Sequence, residues 1–177
     1  MRQSDLRRGA DISPCLQYRY TLTREWGVPG EPARWVCFVG LNPSIADADI
    51  DDPTIRREVG FARAIGATAL VKVNMYAYRA TCPDDLVAFV DTHGDFVARG
   101  PGNTIAVRSA VACARAYLGK GVFAAWGQMP RRLTASAYMI RLLGSPIMCL
   151  GTTKRGAPRH TLYLPKTACP QEWNGHG

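Results

Sequence analysis

The sequence predicts an α/β fold: a three-layer sandwich around a central, mostly parallel sheet of four strands, with a β-hairpin at the N-terminus. Three observations predict it. Short, continuous apolar runs at 35–40 (WVCFVG), 69–73 (ALVKV), 122–126 (VFAAW) and 147–150 (IMCL) are bounded by turn residues. Such runs suit strands buried on both faces. Segments with helical apolar spacing separate them, and strands alternating with helices indicate a parallel sheet covered on both sides. The 177 residues suffice for one domain, assigned to 1–177, at about 150 residues per domain.

The elements follow in order. Residues 16–23 (LQYRYTLT) alternate, with Tyr18, Tyr20 and Leu22 on one face and Arg19, Thr21 and Thr23 on the other, the period of a half-buried strand. A Gly/Pro-rich stretch at 27–32 turns the chain into the 35–40 strand. The polar, acidic segment LNPSIADADIDDP leaves that strand as a loop. Asp52 is placed to cap a helix with Pro53 at its first position; Ile55, Val59 and Ala62 repeat at helical spacing and Gly66 ends it. After the 69–73 strand come NMYAYRAT and a short helix opened by Pro83, Asp84 and Asp85. Residues 93–103 read as irregular, 104–118 and 131–143 as helices, and the tail GTTKRGAPRHTLYLP as a basic loop.

Composition narrows the functional classes. With 47% hydrophobic and 20% charged residues, the chain has the balance of a soluble globular protein. No apolar run approaches the ~20 residues that cross a bilayer, and no apolar stretch follows the basic N-terminus as in a secretory signal. A cytoplasmic protein without a membrane partner is expected. None of the six cysteines (Cys15, Cys37, Cys82, Cys113, Cys149, Cys169) forms a C-x-x-C pair, which argues against a structural zinc and for reduced thiols packed as small hydrophobes. The net charge is +8, with 18 Arg against 4 Lys. A basic, Arg-rich domain favours polyanionic partners, nucleic acid first. Esterase, P-loop and Rossmann signatures are missing.

In open α/β sheets, ligands bind at the carboxyl ends of the strands, and the chemically interesting residues follow strands. Within GLNPS, Asn42 either faces a cleft, where it orients a water or a substrate edge, or completes a turn. Asp47, Asp49, Asp51 and Asp52 either hold magnesium or serve as a cap plus solvated loop charge. Asn74, Tyr76, Tyr78 and Arg79 either stack and pair with nucleotides or pack as ordinary strand residues. His160, beside Lys154, Arg155 and Arg159, has its cationic form disfavoured, so a neutral imidazole donating one hydrogen bond is expected. His93 and His176 fall outside any plausible site.

Taken together these segments resemble known motifs. VGLNPS resembles the first motif of the uracil-DNA glycosylase superfamily, VKVNMYAYR its middle strand ending in Asn, VFAAWG its third motif, and PRHTLYL stands at its closing His loop. More closely, SPCLQYRYTLTREWG, GLNPSIADADIDDPTIRR, NMYAYRAT, AAWG and GAPRHTLYLP resemble a family of small bacterial and phage proteins known as a domain of unknown function.

The glycosylase resemblance implies a monofunctional DNA glycosylase that hydrolyses the N-glycosidic bond of a flipped base, in repair or anti-phage defence, working as a monomer without cofactor or metal. Asn42 is implied to place the water with help from a loop aspartate such as Asp52, Asn74 to read the base, and His160 to donate to the departing base. Ser44, Gly127 and Arg159 are implied to grip phosphates, with Tyr76 and Arg79 completing contacts to double- or single-stranded DNA. Thr161 stands where the superfamily has Pro, and the acidic stretch 47–52 has no counterpart, which leaves a bulkier or modified base as open as uracil. Two other readings compete: a magnesium-dependent nuclease or nucleotide hydrolase, and a non-catalytic nucleotide- or DNA-binding module.

Overall fold

A computed structural model of the chain describes residues 6–175; His176 lies outside them. Seven strands, β1 (Arg7–Ile12), β2 (Arg19–Glu25), β3 (Trp35–Gly40), β4 (Ala69–Asn74), β5 (Val122–Ala124), β6 (Met148–Cys149) and β7 (Gln171–Glu172), form one mixed sheet in the order β1-β2-β4-β3-β5-β6-β7. Its centre is the expected set of four, because β4, β3, β5 and β6 pair in parallel. The expectation of only four sheet strands is corrected at both edges. The N-terminal hairpin β1–β2 joins the sheet through antiparallel pairing of β2 with β4, and β7 pairs antiparallel with β6.

Period-two alternation in the central strands gives each sheet face its own core. Val36 and Phe38 of β3 and Leu70 of β4 pack with Phe61 and Ala62 of helix α1 (Pro53–Ala64). Cys37, Val39, Val71 and Val73 pack on the opposite face with helices α2 (Pro83–His93), α4 (Asn103–Leu118) and α5 (Ala135–Leu143). A short helix α3 (Asp95–Arg99) lies within the stretch expected to be irregular. Helix α1 starts as its sequence dictates: the Asp52 carboxylate accepts from the Ile55 amide at 2.8 Å, and Pro53 opens the first turn.

Two findings about burial go beyond the sequence reading. Arg19, placed opposite the apolar face of its strand, is buried, and so is Arg24. The Arg24 guanidinium donates to Asp51 at 2.7 Å and to the carbonyls of Asp47 and Thr23, and so clamps the acidic loop onto β2. Of the cysteines, Cys37 and Cys149 sit in the core, whereas Cys15, Cys82, Cys113 and Cys169 are exposed. No helix among the described residues is long and apolar enough to cross a membrane.

Candidate functional site

The parallel strands end together on one side of the sheet, and the segments leaving them wall a cavity of about 580 Å³. β3 and the loop after it supply Gly40, Asn42, Ser44 and Ile45, and β4 supplies Lys72 and Asn74. The segment after β5 supplies Gly127 and Gln128, Asp52 and Pro53 open α1, and His160 and Tyr163 come from the tail. Asn42, Ser44, Asp52, Asn74, Gly127 and His160, expected from sequence to share a site, therefore line one cavity.

Each side chain has a traceable local cause. Asn42 donates from Nδ2 to the carbonyls of Ala80 at 2.7 Å and Pro43 at 3.2 Å. It thus ties the loop after β3 to the segment after β4, and the oxygen Oδ1 is the atom left to serve the cavity. Asn42 thus completes the turn and also lines the cavity. Asn74 ends β4 opposite Gly40 and is 1% exposed, yet neither its Oδ1 nor its Nδ2 has a hydrogen-bond partner. Gly40 is what lets Asn74 and Lys72 pass close to the β3 backbone, since a Cβ at that position would lie 2.6 Å from Asn74 Oδ1 and 3.0 Å from Lys72 Nζ. Gly127 takes a φ of +76° that favours glycine and backs directly onto His160.

His160 precedes a single 3-10 turn, Thr161–Tyr163, and its Nδ1 accepts from the Leu162 amide at 3.4 Å. With Nδ1 as acceptor, the neutral ring carries its proton on Nε2. Burial, and next the Lys72 cation, push its pKa down to about 4, with Asp52 opposing. The neutral imidazole matches expectation, but the dominant causes are desolvation and Lys72 rather than the neighbouring arginines of the tail.

The sequence reading missed the polar floor. The Lys72 ammonium donates to Glu58 Oε1 at 2.6 Å, and Thr161 Oγ1 donates to the same oxygen at 3.1 Å. Glu58 is fully buried, and burial pushes its carboxyl up against the opposing pull of Lys72. Arg19 also lines the cavity; its Nη1 donates to the Ala46 carbonyl, its Nε has no partner, and burial lowers its pKa to about 10. The signals were a lysine inside an apolar strand run and an acidic residue on the apolar stripe of α1, three residues after Ile55 and four before Ala62. Ile45 and Tyr163 stand exposed at the lip.

Three expected contacts fall elsewhere. Tyr76 passes into the opposite layer, where its hydroxyl donates to Asp95 at 2.6 Å and accepts from the Ala135 amide. Arg79 lines an adjoining shallow groove with Gln17 and Tyr78, and shares Ser44, Ile45, Ala80 and Thr81 with the main cavity. Arg159 is exposed and does not line it. The acidic loop does not converge on a metal. Asp47 accepts from the amides of Asp49 and Ile50, Asp51 pairs with Arg24 and Arg8, and only Asp52 reaches the cavity. No group of three or more His, Cys, Asp or Glu among the described residues is placed to hold a metal ion. A second cavity of about 500 Å³ lies between the N-terminal hairpin and α4, walled by Tyr20, Trp35, Ile105 and Ala110 with Asp11 as its one carboxylate.

Comparison with known proteins places these residues in a family. The profile of a family described as "Protein of unknown function (DUF1643)" matches residues 19–162, which include every residue named above from the main cavity except Tyr163. No curated protein and no solved structure matches the chain. The chain belongs to the DUF1643 family.

Proposed function

We propose that this cavity receives a single nucleobase turned out of DNA, and that the protein is a DNA glycosylase hydrolysing the N-glycosidic bond of that base. One observation carries the reading: a neutral imidazole with its proton on Nε2, an unpartnered buried Asn74 and the Asn42 carbonyl oxygen share one cavity at the strand ends. The family match carries no activity, so the reading rests on this convergence and on the motif resemblance.

The chemistry follows from the groups present. Extruding a nucleotide costs a few kcal/mol, offset by contacts to the flipped base. The unpartnered Asn74 amide offers one donor and one acceptor to the base edge. As the C1′–N bond breaks, its electron pair goes to the base and positive charge builds on the sugar. His160 Nε2–H donates to the base oxygen where negative charge gathers, and one such preorganised donor is worth about 3 kcal/mol. Because the imidazole is neutral beforehand, it gives up no solvated charge to do so. Asn42 Oδ1 orients the water, and Asp52, whose Oδ1 is anchored on the Ile55 amide, accepts its proton while opposing the sugar's positive charge. A cavity of about 580 Å³ leaves room around an unmodified base, which favours a bulkier or modified one. Arg79 and Ser44 in the adjoining groove suit the flanking strand.

The test is base release from a panel of plain and modified DNAs in EDTA, scored as alkali-labile breaks. Activity in chelator is expected on at least one substrate, lost in Asn42→Ala and His160→Ala while DNA binding persists. Release that stops in EDTA would instead favour a metal-dependent hydrolase, and salt-sensitive binding without breaks would favour a non-catalytic module.

A further inference from the structure

The hydrolytic step leaves one reactive group in the cavity unused. Lys72 is 4% exposed, the remaining three lysines (Lys120, Lys154 and Lys166) are exposed, and its ammonium lines the cavity floor. Beside it the backbone of β3 carries no side chain, because the residue there is Gly40, whose missing Cβ would otherwise lie 3.0 Å from Nζ. Behind it, 2.6 Å away, is Glu58, whose second oxygen Oε2 has no partner. A primary amine that lines a cavity and is backed by a buried carboxylate with an idle oxygen is the arrangement that lets lysine act as a nucleophile toward a carbonyl carbon.

We propose that Lys72 captures an aldehyde as an imine, and that the aldehyde is the open-chain C1′ carbonyl of the deoxyribose left after base loss. The identity of that aldehyde rests on the glycosylase reading. Departure of the base vacates the floor over Nζ, and the ring-opened sugar, unlike the closed furanose, carries a free carbonyl into that space. Glu58 takes one proton from the ammonium, and the nitrogen lone pair attacks the carbonyl carbon. The former carbonyl oxygen collects that proton and a second from the nitrogen and leaves as water. Ammonium plus aldehyde thus become protonated imine plus water, with no oxidant or reductant consumed. The imine holds the abasic product in the cavity until water reverses the step. Burial raises the affinity of Glu58 for the proton that it must briefly hold.

The test uses the full-length protein with an oligonucleotide carrying a preformed abasic aldehyde, so that no base release is needed, and sodium cyanoborohydride to reduce any imine to a stable amine. Peptide mapping by mass spectrometry locates the adduct in the unaltered protein, so the answer does not depend on a variant that folds. A covalent adduct on Lys72, absent from Lys72→Met, is expected. No adduct, or adducts on Lys120, Lys154 or Lys166 instead, overturns the proposal. Base release is scored separately on intact duplexes. An adduct on Lys72 without release from any DNA would uphold aldehyde capture and sink the glycosylase reading; release without an adduct would do the reverse.

Discussion

Acidification isolates one half-buried group. His160 is neutral in the folded protein until about pH 4, whereas an exposed imidazole takes its proton at 6.5. Between those values the unfolded chain binds a proton at this position that the folded chain refuses, so folding stability falls as pH falls. The interval, at about 1.4 kcal/mol per pH unit, comes to about 3 kcal/mol. The contribution is fully present above 6.5 and gone below about 4. The perturbation is His160→Gln, which keeps a polar side chain but cannot titrate. Urea unfolding of both proteins, followed by tryptophan fluorescence at a series of pH values, gives the difference directly, because every other titrating group cancels. The unaltered protein should lose about 3 kcal/mol relative to the variant across this window. An NMR titration of the ring should place its midpoint near 4. Parallel pH dependences in the two proteins, or a midpoint near 6.5, would refute the neutral, half-buried imidazole and with it the role given to His160.

Other outcomes follow from packing. Gly40→Ala drives a methyl against Asn74 and Lys72, both buried and unable to retreat, so about 1–3 kcal/mol of stability and base release should both be lost, read by denaturation and by the breakage assay. Arg24→Ala strips the clamp from the acidic loop and leaves Asp51 without its buried partner, which should cost about 3 kcal/mol; Arg7→Ala, whose partner Glu25 is at the surface, should leave the unfolding midpoint unmoved. Tyr76→Phe removes the hydroxyl shared by Asp95 and the Ala135 amide, about 1–3 kcal/mol, and should leave base release intact, since this side chain lies in the other layer.

What could be read from the sequence followed burial and strand ends. A strand covered on both faces is apolar throughout, so 35–40 and 69–73 declared themselves, and their carboxyl ends pointed to Asn42 and Asn74. β6 lies inside the apolar run 147–150 that marks it as a strand, whereas the two-residue, exposed β7 is too short to show any pattern. Buried ion pairs are hard to see because each partner alone looks like surface. Arg24 belongs inside only because Asp51 arrives from a loop 27 residues later, and Lys72 only because Glu58 arrives from α1. Tyr76 and Arg79 were read as site residues from their place after a strand, but local spacing does not tell which layer the chain enters once the strand has ended.

The Glu58 carboxylate has a consequence beyond its two hydrogen bonds. It joins α1 to β4 and, 103 positions further on, to the residue next to the imidazole; Arg57 beside it reaches the Leu164 carbonyl. His160 is therefore held by tethers that exist only when both halves of the polypeptide have come together. A fragment ending near Leu150 would retain the parallel strands and still lack the imidazole, and any fluctuation that peels the tail from α1 withdraws it. The cavity is thus walled by residues from distant parts of the sequence, and no isolated stretch carries all of its walls.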